Sequence, residues 1–213
     1  MKILLSPMAL LVILLPCGVE AASPARSEYQ AALRATPDPD HGAELFARCA
    51  SCHGAEGEGL ADGSTPSIAG QHFRVIVKQL VDFRYGKRWD FRMEQRANNH
   101  LGAFQDIADV ASHLSQLPRK SRSNDGGTVA LSPGASLYGE RCGSCHGARG
   151  EGDDDEAIPL LAGQHSAYLL RQMYDSVDRR RPALAGLHEK PIKSLDFEQL
   201  RAIADYLSRL TSP

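Results

Sequence analysis

Two short runs of this chain carry residues able to do chemistry. Cys49-Ala-Ser-Cys52-His53 and Cys142-Gly-Ser-Cys145-His146 each set two thiols three positions apart, with an imidazole directly behind. On a helix rising about 1.5 Å per residue, three positions span roughly 4.5 Å, so both thiols face one side. That separation lets one pair form thioethers with the two vinyl groups of a single haem, and the histidine then sits beneath the iron. Cys-x-x-Cys-His is the attachment signature of c-type haem. Two other chemistries use such thiols. Four thiolates could share one zinc ion, and a single pair could act as a redox dithiol, although no strand–helix–strand pattern surrounds either pair. Neither accounts for a His-Gly after both pairs. The expectation is two covalent haems c, anchored by Cys49, Cys52, Cys142 and Cys145, with His53 and His146 as axial iron ligands.

The elements that position these residues come in duplicate. The eleven residues from Cys49 to Gly59 recur from Cys142 to Gly152 with nine identities, at an offset of 93. Pro66-Ser-Ile-Ala-Gly-Gln-His72 returns as Pro159-Leu-Leu-Ala-Gly-Gln-His165, and Leu114-Ser115 as Leu207-Ser208, at the same offset. Two domains follow, 40–118 and 132–213, joined by a polar linker over 119–131. Both read as all-α. Asp40 or a neighbour caps a first helix with Leu45 and Phe46, and Ser132-Pro133 opens its counterpart. A middle helix sets Phe73, Ile76, Val77, Leu80 and Phe83 on one face. The last helices carry Ile107, Ala111 and Leu114, then Leu200, Ile203, Ala204 and Leu207, at helical spacing. A few short helices enclose little core for a domain of this size, so a bound group must help fill it.

Residues 1–21 read as a secretory signal peptide: Lys2, an apolar run from Met8 to Leu15, and small residues near Ala21. Cys17 leaves with it, and 22–39 is expected to be an N-terminal tail. Export places the mature chain in the periplasm, soluble and without a membrane tether. Across 213 residues, 24 Lys and Arg face 26 Asp and Glu, a net charge of −2, which offers no basic excess for gripping nucleic acid.

These motifs, with the terminal-helix sequence Ala204-Asp-Tyr-Leu207, resemble the tandem-domain dihaem class I cytochromes c of the cytochrome c-four type, over nearly the whole mature chain. The resemblance implies two class I domains, each wrapped around its haem, with the first and last helices crossing. Gly42 and Phe46, or Gly134 and Tyr138, would pack against the last helix. It also implies that the carbonyls of Pro66 and Pro159 accept a hydrogen bond from the proximal histidines, fixing their rings.

The family usually supplies a distal methionine roughly forty residues past the haem histidine. Met93 lies 40 residues beyond His53, with His100 as its rival. In the second domain Met173 aligns with Leu80 on the apolar face of the middle helix and reads as core. His188, 42 residues past His146, is the expected distal ligand there. The frames differ, since the repeat aligns Met93 with Gly186 and His188 with Gln95. A thioether raises haem potential relative to a second imidazole, so the first haem should be the better electron acceptor.

Gln71-His72 and Gln164-His165 are expected to cap the middle helix or bond a haem propionate. Arg88 and Arg181 coincide in the repeat. A solvated helix end is the first reading for them, and propionate pairing the sharper one. Asp153 to Glu156 reads as an exposed loop, and Trp89 falls in the ligand segment. With two protein ligands per iron, the function implied is single-electron carriage between a redox donor and an acceptor, such as a membrane respiratory complex or a periplasmic oxidoreductase. The alternatives are a dihaem enzyme, either a peroxidase or a small-anion dehydrogenase, and a cytochrome subunit of a larger oxidoreductase. Dihaem thiosulfate dehydrogenases of known type use a cysteine ligand, and here every mature cysteine is committed to attachment.

Overall fold

The computed structural model describes residues 22–119 and 133–211. The expected signal peptide with Cys17, and nearly all of the linker, lie outside the described residues. The described chain is helical, with one isolated bridge between Asp153 and Ile158.

The first half contains α1 (Pro24–Arg34), α2 (Pro39–Phe46), α3 (Ala50–His53), α4 (Phe73–Arg84), α5 (Phe91–Asn99) and α6 (Phe104–Gln116). The second contains α7 (Pro133–Arg141), α8 (Gly143–His146), α9 (Ser166–Val177), α10 (Pro182–Lys193) and α11 (Phe197–Arg209). Helices α3, α4 and α6 match α8, α9 and α11 at the repeat offset. Their starts are written in short-range chemistry. Asp38, not Asp40, caps α2 by accepting from the Asp40 and His41 amides, and Pro39 takes the first turn. Asp90 caps α5 through Arg92 and Met93. Asp196 and Gln199 form a reciprocal capping box on α11.

The segment expected to be a tail is instead helix α1. Ser23 caps it, Pro24 opens it, and Ala25 and Ala32 are buried in the first core. Helix α1 packs on α4 and α6. The segments that carry the expected distal ligands are also helical, as α5 and α10.

In each half the first long helix crosses the last at a glycine. A methyl group on Gly42 would fall 2.1 Å from the Asp109 carbonyl oxygen, and one on Gly134 would fall 2.1 Å from that of Ala202. Phe46 stacks beside His113 and Tyr138 beside Tyr206, as expected of a first-to-last crossing. Met173 packs against the second core, as its alignment with Leu80 required.

The halves meet through reciprocal contacts between repeat-equivalent residues, the pattern of an approximate two-fold axis. Gln71 bonds the Leu160 backbone through both its amide groups, at 2.9 Å each, and Gln164 does the same to Ser67 at 2.7 and 3.0 Å. His72 donates to the Glu151 carbonyl, and His165 to that of Glu58. These pairs therefore join the domains; neither histidine side chain caps its helix. Arg119, the last described linker residue, donates to the carbonyls of Ala69, Leu160 and Ala162. The acidic loop is engaged as well: Asp154 accepts from the Arg74 amide, and Asp155 faces the Arg74 guanidinium.

Candidate functional site

Each Cys-x-x-Cys-His run folds as a single helical turn, so its second thiol and its imidazole follow the first by fixed rotations. Cys49 and Cys142 are partly buried, Cys52 and Cys145 are exposed, and all four thiols are free. Burial raises the pKa of Cys49, and pushes that of Cys142 up to about 11. Both thiols stay protonated at neutral pH.

His53 is buried, at 6% exposure, and its Nδ1–H donates to the Pro66 carbonyl at 3.1 Å. His146 donates to Pro159 at 3.4 Å. A carbonyl only accepts, so Nδ1 carries the proton in both rings and Nε2 presents its lone pair. Burial holds both pKa values below the ordinary histidine range, against the opposing pull of the proline carbonyls. Each imidazole is thus neutral, oriented and ready to ligate a metal.

Opposite His146 lies His188, on α10. The two ring centroids are 6.1 Å apart, with their planes at 41°. The Nδ1–H of His188 donates back to Leu184 at 3.3 Å, again leaving Nε2 free. Burial also lowers its pKa. Two imidazoles bound at about 2 Å to opposite faces of one metal ion put their centroids roughly 6 Å apart. The structure therefore brings together the two histidines expected on that iron.

In the first half, α5 begins beside the proximal histidine. Asp90, Arg88 and Arg92 all act on the His53 ring, and Arg96, one turn on, acts on Cys49. Met93 is the third residue of α5, half-buried, with its amide capped by Asp90. His100 sits at the other end of the helix, seven residues and about 10 Å of helical rise away. There its Nε2 meets the Arg96 guanidinium at 2.8 Å.

Arg88 and Arg181 are not a solvated helix end. They lie side by side between the halves, sharing Gln79 and Gln172 as acceptors, and Arg88 also bonds the Tyr168 hydroxyl. Burial pushes Arg181 down to about 9, with the Arg88 charge adding to the fall. Arg119, buried nearby, is pushed down to about 10, and its Nη2 has no partner among the described residues. Neither Arg88 nor Arg181 has a carboxylate within ion-pair distance among the described residues. The repeat aligns Arg88 with Arg181, but no sequence signal marks their meeting. Trp89 stays 62% exposed beside them, its amide donating to the Arg180 carbonyl.

The family model described as Cytochrome c matches residues 39–118 and again 131–211. The chain belongs to the cytochrome c family. It is 28% identical to cytochrome c4 of Pseudomonas aeruginosa, over 83% of this chain and 90% of that protein. It is 29% identical to the thiosulfate dehydrogenase electron acceptor of Stutzerimonas stutzeri, over 76% of this chain and 78% of that one. Its fold matches reduced recombinant cytochrome c4 from Pseudomonas stutzeri with a TM-score of 0.73 at 25% identity, over 83% of this chain and all of that one. As two cytochrome c domains, the chain is a dihaem c-type electron carrier rather than an enzyme. The residues present fit the cofactor: each half offers two free thiols and a neutral, oriented histidine, and the second adds a facing imidazole. Arg119 Nη2, without a partner among the described residues, and Arg88 and Arg181, which bond only neutral acceptors there, suit groups that bring carboxylates.

Proposed function

We propose that this cytochrome carries single electrons in the periplasm, through one methionine–histidine haem and one bis-histidine haem. The observation that carries the reading is the neighbouring pair His146 and His188, 6.1 Å between ring centroids and tilted at 41°, each with Nδ1 bonded to a backbone carbonyl. When bound, each haem supplies a one-electron ferric–ferrous couple. Everything else is done by the chain. Cys49, Cys52, Cys142 and Cys145 tether, and Pro66 and Pro159 fix the proximal rings through their carbonyls. Met93 and His188 close the distal sides, so neither half keeps a position open for substrate.

The two distal side chains set the direction. The Met93 thioether holds the potential of its half above that set by the His188 imidazole. An electron entering the C-terminal half therefore moves on to the N-terminal half. Arg88, Arg119 and Arg181 supply cationic charge between the halves, which the haem carboxylates would balance. The relative that serves as electron acceptor of a thiosulfate dehydrogenase points to the donor class. We infer a periplasmic dehydrogenase acting on a small sulfur anion, with a respiratory oxidase or reductase as acceptor.

A spectroscopically resolved redox titration tests the assignment. Two one-electron waves are expected, and Met93→His should lower only the higher one, while His188→Met raises only the lower one. A bis-histidine haem with the higher potential, or peroxide turnover after half-reduction, would contradict it.

A further inference from the structure

The first half holds its distal helix by a device with no counterpart among the described residues of the second. Arg84, at the end of α4, is nearly buried, with its side chain 10% exposed. Its Nε and Nη2 donate to the Ala97 carbonyl at 3.2 and 2.8 Å, and Nη2 also donates to that of Leu101 at 2.9 Å. Ala97 lies in the last turn of α5, where carbonyls lack helical partners and a cation is favoured. The remaining arm, Nη1, pairs with Glu28 of α1, whose side chain is 14% exposed. One guanidinium thus ties together α1, α4 and the end of α5.

The repeat shows that the tie is specific to this half. Arg84 aligns with Val177, so no guanidinium reaches the end of α10 from α9. There the described polar ties are a half-exposed Lys193–Glu189 pair and a surface bond from Arg141 to Ser194. Helix α1 lies before residue 39, outside both segments matched by the family model. A buried ion pair costs desolvation and persists where it fixes a geometry. Helix α5 carries Met93 at its other end, so whatever fixes α5 fixes the thioether.

We propose that α1 is a strap which, through the Glu28–Arg84 pair, sets the place of α5 and so holds the Met93 sulfur against the first iron. Arg84 and Glu28 are positioning residues, and the proposal rests on Met93 being the distal ligand. A thioether is a weak ligand on ferric haem, and a helix free to shift gives it up more readily to a competitor.

The test uses the haem-loaded full chain and imidazole as competitor, followed through the long-wavelength charge-transfer band of sulfur-ligated ferric haem. Arg84→Gln should tighten imidazole binding at the first haem by about tenfold or more, the scale of a lost charge-assisted hydrogen bond. Glu28→Gln, nearly isosteric and retaining the Arg84 bonds to α5, should tighten it by a smaller factor. The midpoint potential of the first haem should fall in the same order, with the second haem unmoved. Far-UV circular dichroism should match the parent chain, which separates positioning from general loss of structure. Met93→Ala is the control: if it keeps the band, the ligand assignment itself fails. If Met93→Ala loses the band while Glu28→Gln and Arg84→Gln leave imidazole affinity and potential unchanged, the strap is overturned. Should Arg84→Gln fail to fold, Glu28→Gln alone decides.

Discussion

Asp109 is 1% exposed and carries three hydrogen bonds: from the Asp38 amide at 2.8 Å, from His41 Nδ1 at 2.8 Å, and from Gln105 at 2.7 Å. Burial pushes its carboxyl pKa up, and those bonds together outweigh burial and hold it below the usual range. The same contact raises His41 above its ordinary 6.5. The two shifts bound a pH window. The His41 contribution is complete below its unfolded value and fades as pH climbs through the raised folded value. The Asp109 contribution is complete above the ordinary carboxylate range and is lost only as pH falls below it. The pin between α2 and α6 should therefore be strongest in mild acid. We predict that the gap in denaturation midpoint between the parent chain and His41→Gln narrows as pH rises from about 6 to about 9. A gap constant across that range would contradict the pairing. At this scale, the residues most legible in the sequence were those bound by contiguous covalent chemistry. Cysteine and histidine must sit next to each other to serve one porphyrin, whereas Asp109 takes two of its three partners from 68 and 71 residues away.

Among the elements, the helix crossings give the sharpest expectation. A methyl added to Gly134 would overlap the α11 backbone, 2.1 Å from the Ala202 carbonyl oxygen, while one added to Gly139, five residues on in the same helix, meets nothing within 4 Å. Gly134→Ala should destabilise the folded chain by about 1–3 kcal/mol, because α7 must lift off α11. Gly139→Ala should be neutral or stabilising by up to about 1 kcal/mol, since it only improves helix propensity. Urea denaturation of the holoprotein checks both, and equal effects would contradict the crossing. The repeat made these helices readable, because a pattern seen twice at a fixed offset is hard to mistake. Helix α1 has no second copy in the sequence repeat, so its segment reads as a tail. Its signal was present nonetheless: Ser23-Pro24 matches the Ser132-Pro133 start, and Ala25, Tyr29, Ala32 and Leu33 form a helical stripe. Helix α5 is hidden by its polar composition, and α10 by Gly186 and Pro191, which read as helix breakers. Asp90 and Pro182 mark their first turns all the same.

For the molecule as a whole, the duplicated domain explains its symmetry, and the proposed ligands differ between its two copies. Gln71, Gln164, His72 and His165 were conspicuous as a repeat, but their role was not, since they bond backbone 79 to 107 residues away, across the interface. The same two-fold arrangement that makes the halves equivalent in shape leaves them unequal in chemistry. The sequence puts a thioether at the start of α5 and an imidazole in the middle of α10, and only the first half has the Glu28–Arg84 tie. Under the ligation proposed above, that inequality gives two similar domains a path with a downhill sense. Electron paramagnetic resonance of the fully oxidised protein measures it most directly. The account predicts two low-spin ferric signals of equal intensity, one of methionine–histidine type that disappears in Met93→Ala, and one of bis-histidine type that disappears in His188→Ala. Two identical signals, or a high-spin signal from either haem in the parent chain, would contradict it.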